Sequence, residues 1–169
     1  MKNIIFIGGI HGVGKGTICK EIELKTDLIH LTASQILKWE KISESSNKLV
    51  KDISSTQNRL IIGLKNLIKK DQKYLLDGHF CLLDSNGIPN RIDENTFDQI
   101  SPKVIVVVID DVKKIAKKIE ARDNKIYDVN ILDQLQQMEI GYAKYLSDKY
   151  SIPYVEIKDG NYNQLMEII

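Results

Sequence analysis

Arginine is scarce in this chain. Of the 24 basic residues only three are arginine: Arg59, Arg91 and Arg122. A guanidinium is the usual bidentate clamp on phosphate, so any such clamp must be drawn from these three. Cysteine is rarer still. Cys19 and Cys81 are two isolated thiols, which argues against a disulfide framework and for a reducing compartment. His11, His30 and His79 are scattered, and none has zinc-ligand spacing. Net charge is +1, so no general attraction to nucleic acid or to a membrane surface is expected. No apolar run is long enough to span a bilayer. Met1-Lys2-Asn3 leads straight into an apolar strand, so no signal peptide is expected and the cytoplasm is the expected location. With 169 residues and no repeat or linker, the chain is expected to be one domain, 1–169, with a sizeable core.

Glycine is unevenly spread. Ile4-Ile5-Phe6-Ile7 is an apolar run, and Gly8, Gly9, Gly12 and Gly14 follow within seven positions, interrupted by Ile10, His11 and Val13. Lys15-Gly16-Thr17 and a helical pattern come next. A strand that runs through clustered glycines into a helix is a phosphate cradle. Glycine lets successive N–H groups point inward, and the helix adds its positive end. Lys15 supplies a mobile charge for the outer phosphates, and the Gly16–Thr17 region is expected to meet Mg²⁺. The general pattern has Ser or Thr directly after the Lys; here Gly16 intervenes before Thr17.

The remaining periodicities alternate strand and helix. Strands are expected at 3–8, 28–32, 74–79, 102–109 and 153–157, and helices at 14–25, from Thr32-Ala33-Ser34 onward, 54–70, 93–100, 111–121 and 129–149. Residues 43–55 read as a polar connector and 80–91 as a loop with an Asn86-Gly87-Ile88-Pro89 turn. The inward face of the 129–149 helix is expected to carry Ile131, Leu135, Met138, Tyr142, Tyr145 and Leu146. His30 alternates with apolar residues and reads as a packed or edge histidine. Alternation of this kind implies an α/β, three-layer fold around a five-stranded parallel sheet, with ligands at the carboxyl ends of the strands. Asp77 sits at such an end. It is placed to hold Mg²⁺ directly or through water, although Asp-Gly is also a common turn pair.

The segment Gly9 to Thr17 resembles the Gly-x-x-Gly-x-Gly-Lys-Gly-Thr loop of P-loop nucleoside monophosphate kinases. The whole chain is most similar to the short archaeal-type adenylate kinases and related AAA-type ATP-binding proteins. The order of Thr32-Ala33-Ser34, Gln57-x-x-Leu60, Leu75-Leu76-Asp77-Gly78-His79, Asn86-Gly87-Ile88-Pro89 and Arg122 to Asp128 supports the likeness. The resemblance implies transfer of the γ-phosphoryl group of ATP, with Mg²⁺, to a small acceptor such as AMP or another nucleoside monophosphate. It implies nucleotide contacts from Gly9, His11, Gly12, Val13, Gly14, Lys15, Gly16 and Thr17. Lys15, Arg122 and Asp77 would be catalytic, and Thr17 and Asp77 would hold the metal. The acceptor region would be helices at about 32–70, with Ser34, Lys38, Arg59, His79 and Arg91 as candidate contacts. Residues 122–128 would form a short lid.

Three positions depart from the family pattern. Leu82-Leu83 stands where short adenylate kinases carry an arginine after the strand-end His. The lid offers Arg122 with only Lys125 nearby, and Leu37-Lys38 stands where many members have Arg. An ATPase or nucleotide-binding switch acting on a partner protein is therefore the alternative, because a missing charge stabiliser can be supplied in trans. A GTPase is disfavoured, since Asn124-Lys125 is followed by Ile126-Tyr127. A nucleic-acid module is disfavoured by the near-zero charge. Neither the identity of the acceptor nor the oligomeric state is legible at this level.

Overall fold

The glycine-rich loop hangs from the centre of a parallel sheet. The computed structural model describes residues 3–37, 43–44, 49–50, 53–124 and 126–169. The five-stranded sheet has the order β2-β5-β1-β8-β9. Its strands are β1 (Ile4–Gly8), β2 (Ile29–Thr32), β5 (Tyr74–Asp77), β8 (Val104–Ile109) and β9 (Tyr154–Lys158). All four pairings are parallel. β1 is buried along its whole length, as an apolar run without alternation requires when both faces are covered. This is the three-layer α/β arrangement expected for a P-loop protein.

The helices are α1 (Lys15–Glu23), α2 (Ala33–Leu37), α3 (Ile53–Leu67), α4 (Glu94–Ile100), α5 (Val112–Asp123), α6 (Val129–Tyr150) and α7 (Asn163–Met166). α1 lies against β2 and β5, whereas α6 packs against β8 and β9. Asp111 caps α5 by accepting from the N–H groups of Lys113 and Lys114, and Asp128 caps α6 by accepting from that of Asn130, each satisfying donors that a helix start leaves unpaired. All three phenylalanines meet in one cluster. Ring centroids lie 4.9 Å apart for Phe6 and Phe80 and 5.2 Å for Phe6 and Phe97, and Tyr142 joins edge-on to Phe97 at 5.8 Å.

The structure corrects the sequence reading in three places. Residues 80–91 are not a plain loop. β6 (Cys81–Leu83) and β7 (Pro89–Arg91) form an antiparallel hairpin, with Cys81 opposite Arg91. The Asp84 carboxylate closes its turn by accepting from the N–H groups of Asn86 and Ile88. The connector at 43–55 contains a second short antiparallel pair, β3 (Ser43–Glu44) with β4 (Leu49–Val50), before α3 begins. On α6, Ile131 and Tyr145 are exposed by 39 % and 44 %, while Leu132 is buried. The buried stripe of α6 is rotated relative to the most apolar one, because polar side chains on it have partners.

The expected lid at 122–128 falls between α5 and α6, and Lys125 in it lies outside the described residues. Arg122 and Asp123 belong to the last turn of α5, which ends at Asn124 in the left-handed conformation (φ 52°).

Candidate active site

Gly9 cannot be replaced by a larger residue without moving the sheet. Its φ is 139°, and a Cβ there would lie 2.5 Å from the Val108 carbonyl oxygen on β8. The chain then turns through His11 to Gly14 and enters α1. Gly14 is the N-cap at φ 106°, and no side chain caps the helix. No acidic residue stands in the first turn either. The positive end of α1 therefore opens into a cleft of about 780 Å³, lined there by Gly14, Lys15, Gly16 and Thr17. An uncapped helix start with glycine before it is a site for an anion.

Lys15 folds back on the loop. Its Nζ donates to the Gly9 carbonyl at 2.7 Å and to that of Ile10 at 3.3 Å. Asp77 Oδ1 is 4.0 Å away. Asp77 ends β5, in register with Ile7 on β1 and Thr32 on β2, so three parallel strands deliver it to their common carboxyl edge. Burial by itself would push its carboxyl up. His30, Lys15 and His79 outweigh that and hold it below the usual carboxylate range. Asp77 is thus an anion beside the phosphate cradle. Gly78 continues the β1–β5 pairing one residue further, donating to the Ile7 carbonyl at 3.0 Å, which anchors Asp77 at the strand end.

Arg122 lines the same cleft. Its guanidinium donates to both Asp123 oxygens, at 2.7 Å from Nε and 2.8 Å from an Nη, and contacts His11 Nε2. Arg122 holds the Asp123 carboxyl far below the usual range. Tyr127 adds a hydroxyl donor to Asp123 at 3.3 Å. Arg122 is thereby parked at the glycine loop.

The rest of the lining is largely apolar. Leu37, Leu60, Leu82, Leu83 and Ile100 belong to it, and Ser34, Gln57, His79 and Thr96 are among its polar members. Arg59 and Arg91 do not line the cleft. Arg59 donates to the Leu37 carbonyl at 3.4 Å, and Arg91 lies 5.2 Å over the Tyr142 ring. Among the described residues Arg122 is the only arginine of the cleft; Lys38 lies outside the described residues.

Two polar residues of this region were not among the expected site residues, although Gln57 belongs to the Gln57-x-x-Leu60 pattern. Glu139 is fully buried on α6. Its carboxylate accepts from the backbone N–H of Phe80 and of Cys81, each at 3.1 Å, and stands 3.6 Å from His79 Nδ1. It fixes the turn that carries His79. Gln57 is 5 % exposed at the cleft wall, and its Oε1 is buried without a hydrogen-bond partner. Glu139 falls at helical spacing between Leu135 and Tyr142 on the stripe that is buried, which marks its position but not its distant partners.

A family model described as an AAA domain (AAA_17) matches residues 8–135. The chain belongs to this family. UMP-CMP kinase 2 of Caenorhabditis elegans is 31% identical over 96 residues, which are 55% of this chain and 49% of that protein. The match thus spans about half the length of that relative. A gluconokinase structure from Sinorhizobium meliloti 1021 aligns with a TM-score of 0.54 at 9% identity, over 92% of this chain and 82% of that one. At that identity the likeness shows the fold alone. The chain is thus an AAA_17 member with a P-loop kinase-like fold, and over part of its length it is similar to a nucleoside monophosphate kinase. Among the described residues of this family member, no helix is long and apolar enough to cross a membrane.

Proposed function

We propose that the protein is an ATP-dependent phosphotransferase of the nucleotide-kinase type, passing the γ-phosphoryl group to a small acceptor, with a nucleoside monophosphate as the first candidate. One observation carries this reading. The uncapped start of α1, Lys15 and Asp77 line one cleft of about 780 Å³ together with apolar residues of α2, α3 and β6. The polar part suits the phosphates of a donor, and a cleft of that volume leaves room for a second molecule.

The residues present fit Mg²⁺. An ionised, largely buried carboxylate (Asp77) and an exposed hydroxyl (Thr17) both line the phosphate end. Thr17 and Asp77 would hold the ion, which when bound neutralises charge on the phosphate oxygens. The loop N–H groups and Lys15 bind the outer phosphates. To do so Lys15 exchanges its two carbonyl acceptors for phosphate oxygens. Arg122 leaves Asp123 and turns toward the transferring group, where charge spreads over oxygens. The protein's part is positioning and cationic stabilisation, and closure over the phosphates excludes water as a competing acceptor.

A product assay with ATP, Mg²⁺ and a panel of nucleosides and nucleoside monophosphates tests the reading. Formation of a phosphorylated acceptor supports it. ATP binding without any acceptor product would overturn it in favour of the switch reading. That alternative is favoured by the position of Arg59 and Arg91 outside the cleft, since a partner protein would then supply the missing cation.

Arg122→Ala is expected to lower kcat about 10- to 100-fold and to change ATP affinity by less than about threefold, because Arg122 engages the transferring group rather than the bound nucleotide. Steady-state kinetics beside equilibrium ATP titration checks this. An unchanged kcat would remove Arg122 from the chemistry.

A further inference from the structure

The sequence shows no zinc-ligand spacing, yet folding brings three ligand types together beneath the glycine loop. Cys19 lies four residues after Lys15 on α1, which packs on β2 and β5. His30 lies on β2 and Asp77 on β5. Thr32 is the register partner of Asp77, so His30, two residues earlier, shares its face of the sheet. One ligand atom from each of Cys19, His30 and Asp77 lies within 4.8 Å of the others. Nε2 of His30 is 3.9 Å from Asp77 Oδ2.

A second observation points to a ligand. The His30 side chain is 9% exposed, and its Nε2 is buried with no hydrogen-bond partner. A buried imidazole nitrogen held 3.9 Å from a carboxylate oxygen, beyond hydrogen-bond range, is costly unless something lies between the two. Cys19 is fully buried beside it. We propose that Cys19 Sγ, His30 Nε2 and Asp77 Oδ2 form a binding site for a divalent ion of the zinc type, open on the Asp77 side to the cleft. Sulfur, nitrogen and a single carboxylate oxygen suit Zn²⁺ or Co²⁺ and not Mg²⁺, which takes oxygen ligands. Three protein ligands leave a fourth position for water.

The two oxygens of Asp77 have different neighbours. Oδ1 faces Lys15 and the phosphate cradle, and Oδ2 faces His30. An ion on Oδ2 would neutralise the carboxylate that the phosphate end uses. Burial, reinforced by Asp77, pushes the free Cys19 thiol up, so the unloaded site holds a protonated thiol. Metal binding displaces that proton to solvent and leaves the thiolate as ligand.

The test is titration of the purified, reduced, nucleotide-free protein with Co²⁺, read by absorption, followed by displacement with Zn²⁺. A thiolate-to-cobalt charge-transfer band at one ion per chain is expected, and Zn²⁺ should abolish it. Cys81→Ala should keep the band, Cys19→Ser should lose it, and His30→Gln should weaken Co²⁺ at least about tenfold. Circular dichroism and thermal melting check that each variant is folded. If Cys19→Ser does not fold, the His30→Gln and Cys81→Ala pair decides. No band in the parent protein, a band lost in Cys81→Ala, or unchanged affinity in His30→Gln would each overturn the site. The readout needs neither ATP nor an acceptor, so the kinase reading and the metal site stand or fall separately.

Discussion

Lys15→Ala is expected to lower phosphoryl transfer by at least about a hundredfold and to leave the fold intact. Lys15 is 8% exposed, but its charged end serves the loop and not the core. The Nζ bonds to the buried carbonyls of Gly9 and Ile10 within the loop. Removing the ammonium costs stability about 2–3 kcal/mol, the range for buried bonds made by a charged group. It also removes the ammonium that stands 4.0 Å from Asp77 at the start of α1. Turnover and ATP titration, beside urea unfolding, separate the two effects. Full turnover in a folded variant would displace the phosphate site from this loop.

Glu139→Leu is expected to produce the opposite signature, a large stability loss. Leucine fills much of the volume, but the buried N–H groups of Phe80 and Cys81 lose their acceptor. Unpaired buried donors cost about 1–3 kcal/mol each, so a loss of about 3–5 kcal/mol follows. In a chain of this size that lowers the melting temperature by about 10 °C. Glu139→Gln keeps an amide oxygen in place and should cost about 1 kcal/mol. Urea unfolding of the three proteins checks the order. Equal losses in both variants would mean that packing, not hydrogen bonding, is what Glu139 supplies.

The contrast between these residues shows what was legible in the chain. Lys15 is announced by its neighbours, because clustered glycines and a following helix are local features. The strand order is legible too, since β-branched runs such as Val104 to Ile109 have few other uses. Glu139 is a long-range case. Its partners are the N–H groups of Phe80 and Cys81, and no periodicity in α6 reveals donors that far away in sequence. Periodicity instead favours Ile131 and Tyr145, which are exposed. The hairpin at 81–91 was half visible. Asn86-Gly87 marks the turn, but strands of three residues are too short to show alternation. Cys19, His30 and Asp77 belong to three different elements, and only the register of β2 on β5 together with the packing of α1 makes them neighbours.

The order of strands also governs how the molecule is assembled. β1 is near the start of the chain yet central in the sheet, and Phe6 pairs with Leu76 on one side and with Ile105 on the other. Neither partner exists as a ribosome releases the first strand. The most apolar strand edges therefore wait, unpaired, until β5 and then β8 have been synthesised. Such distant pairings slow folding and leave sticky strands accessible. Destabilising substitutions at the β5–β6 turn should for that reason appear first as insoluble protein on expression, before any enzyme can be assayed. The strand that presents the phosphate loop is also the one most in need of protection while the chain is young.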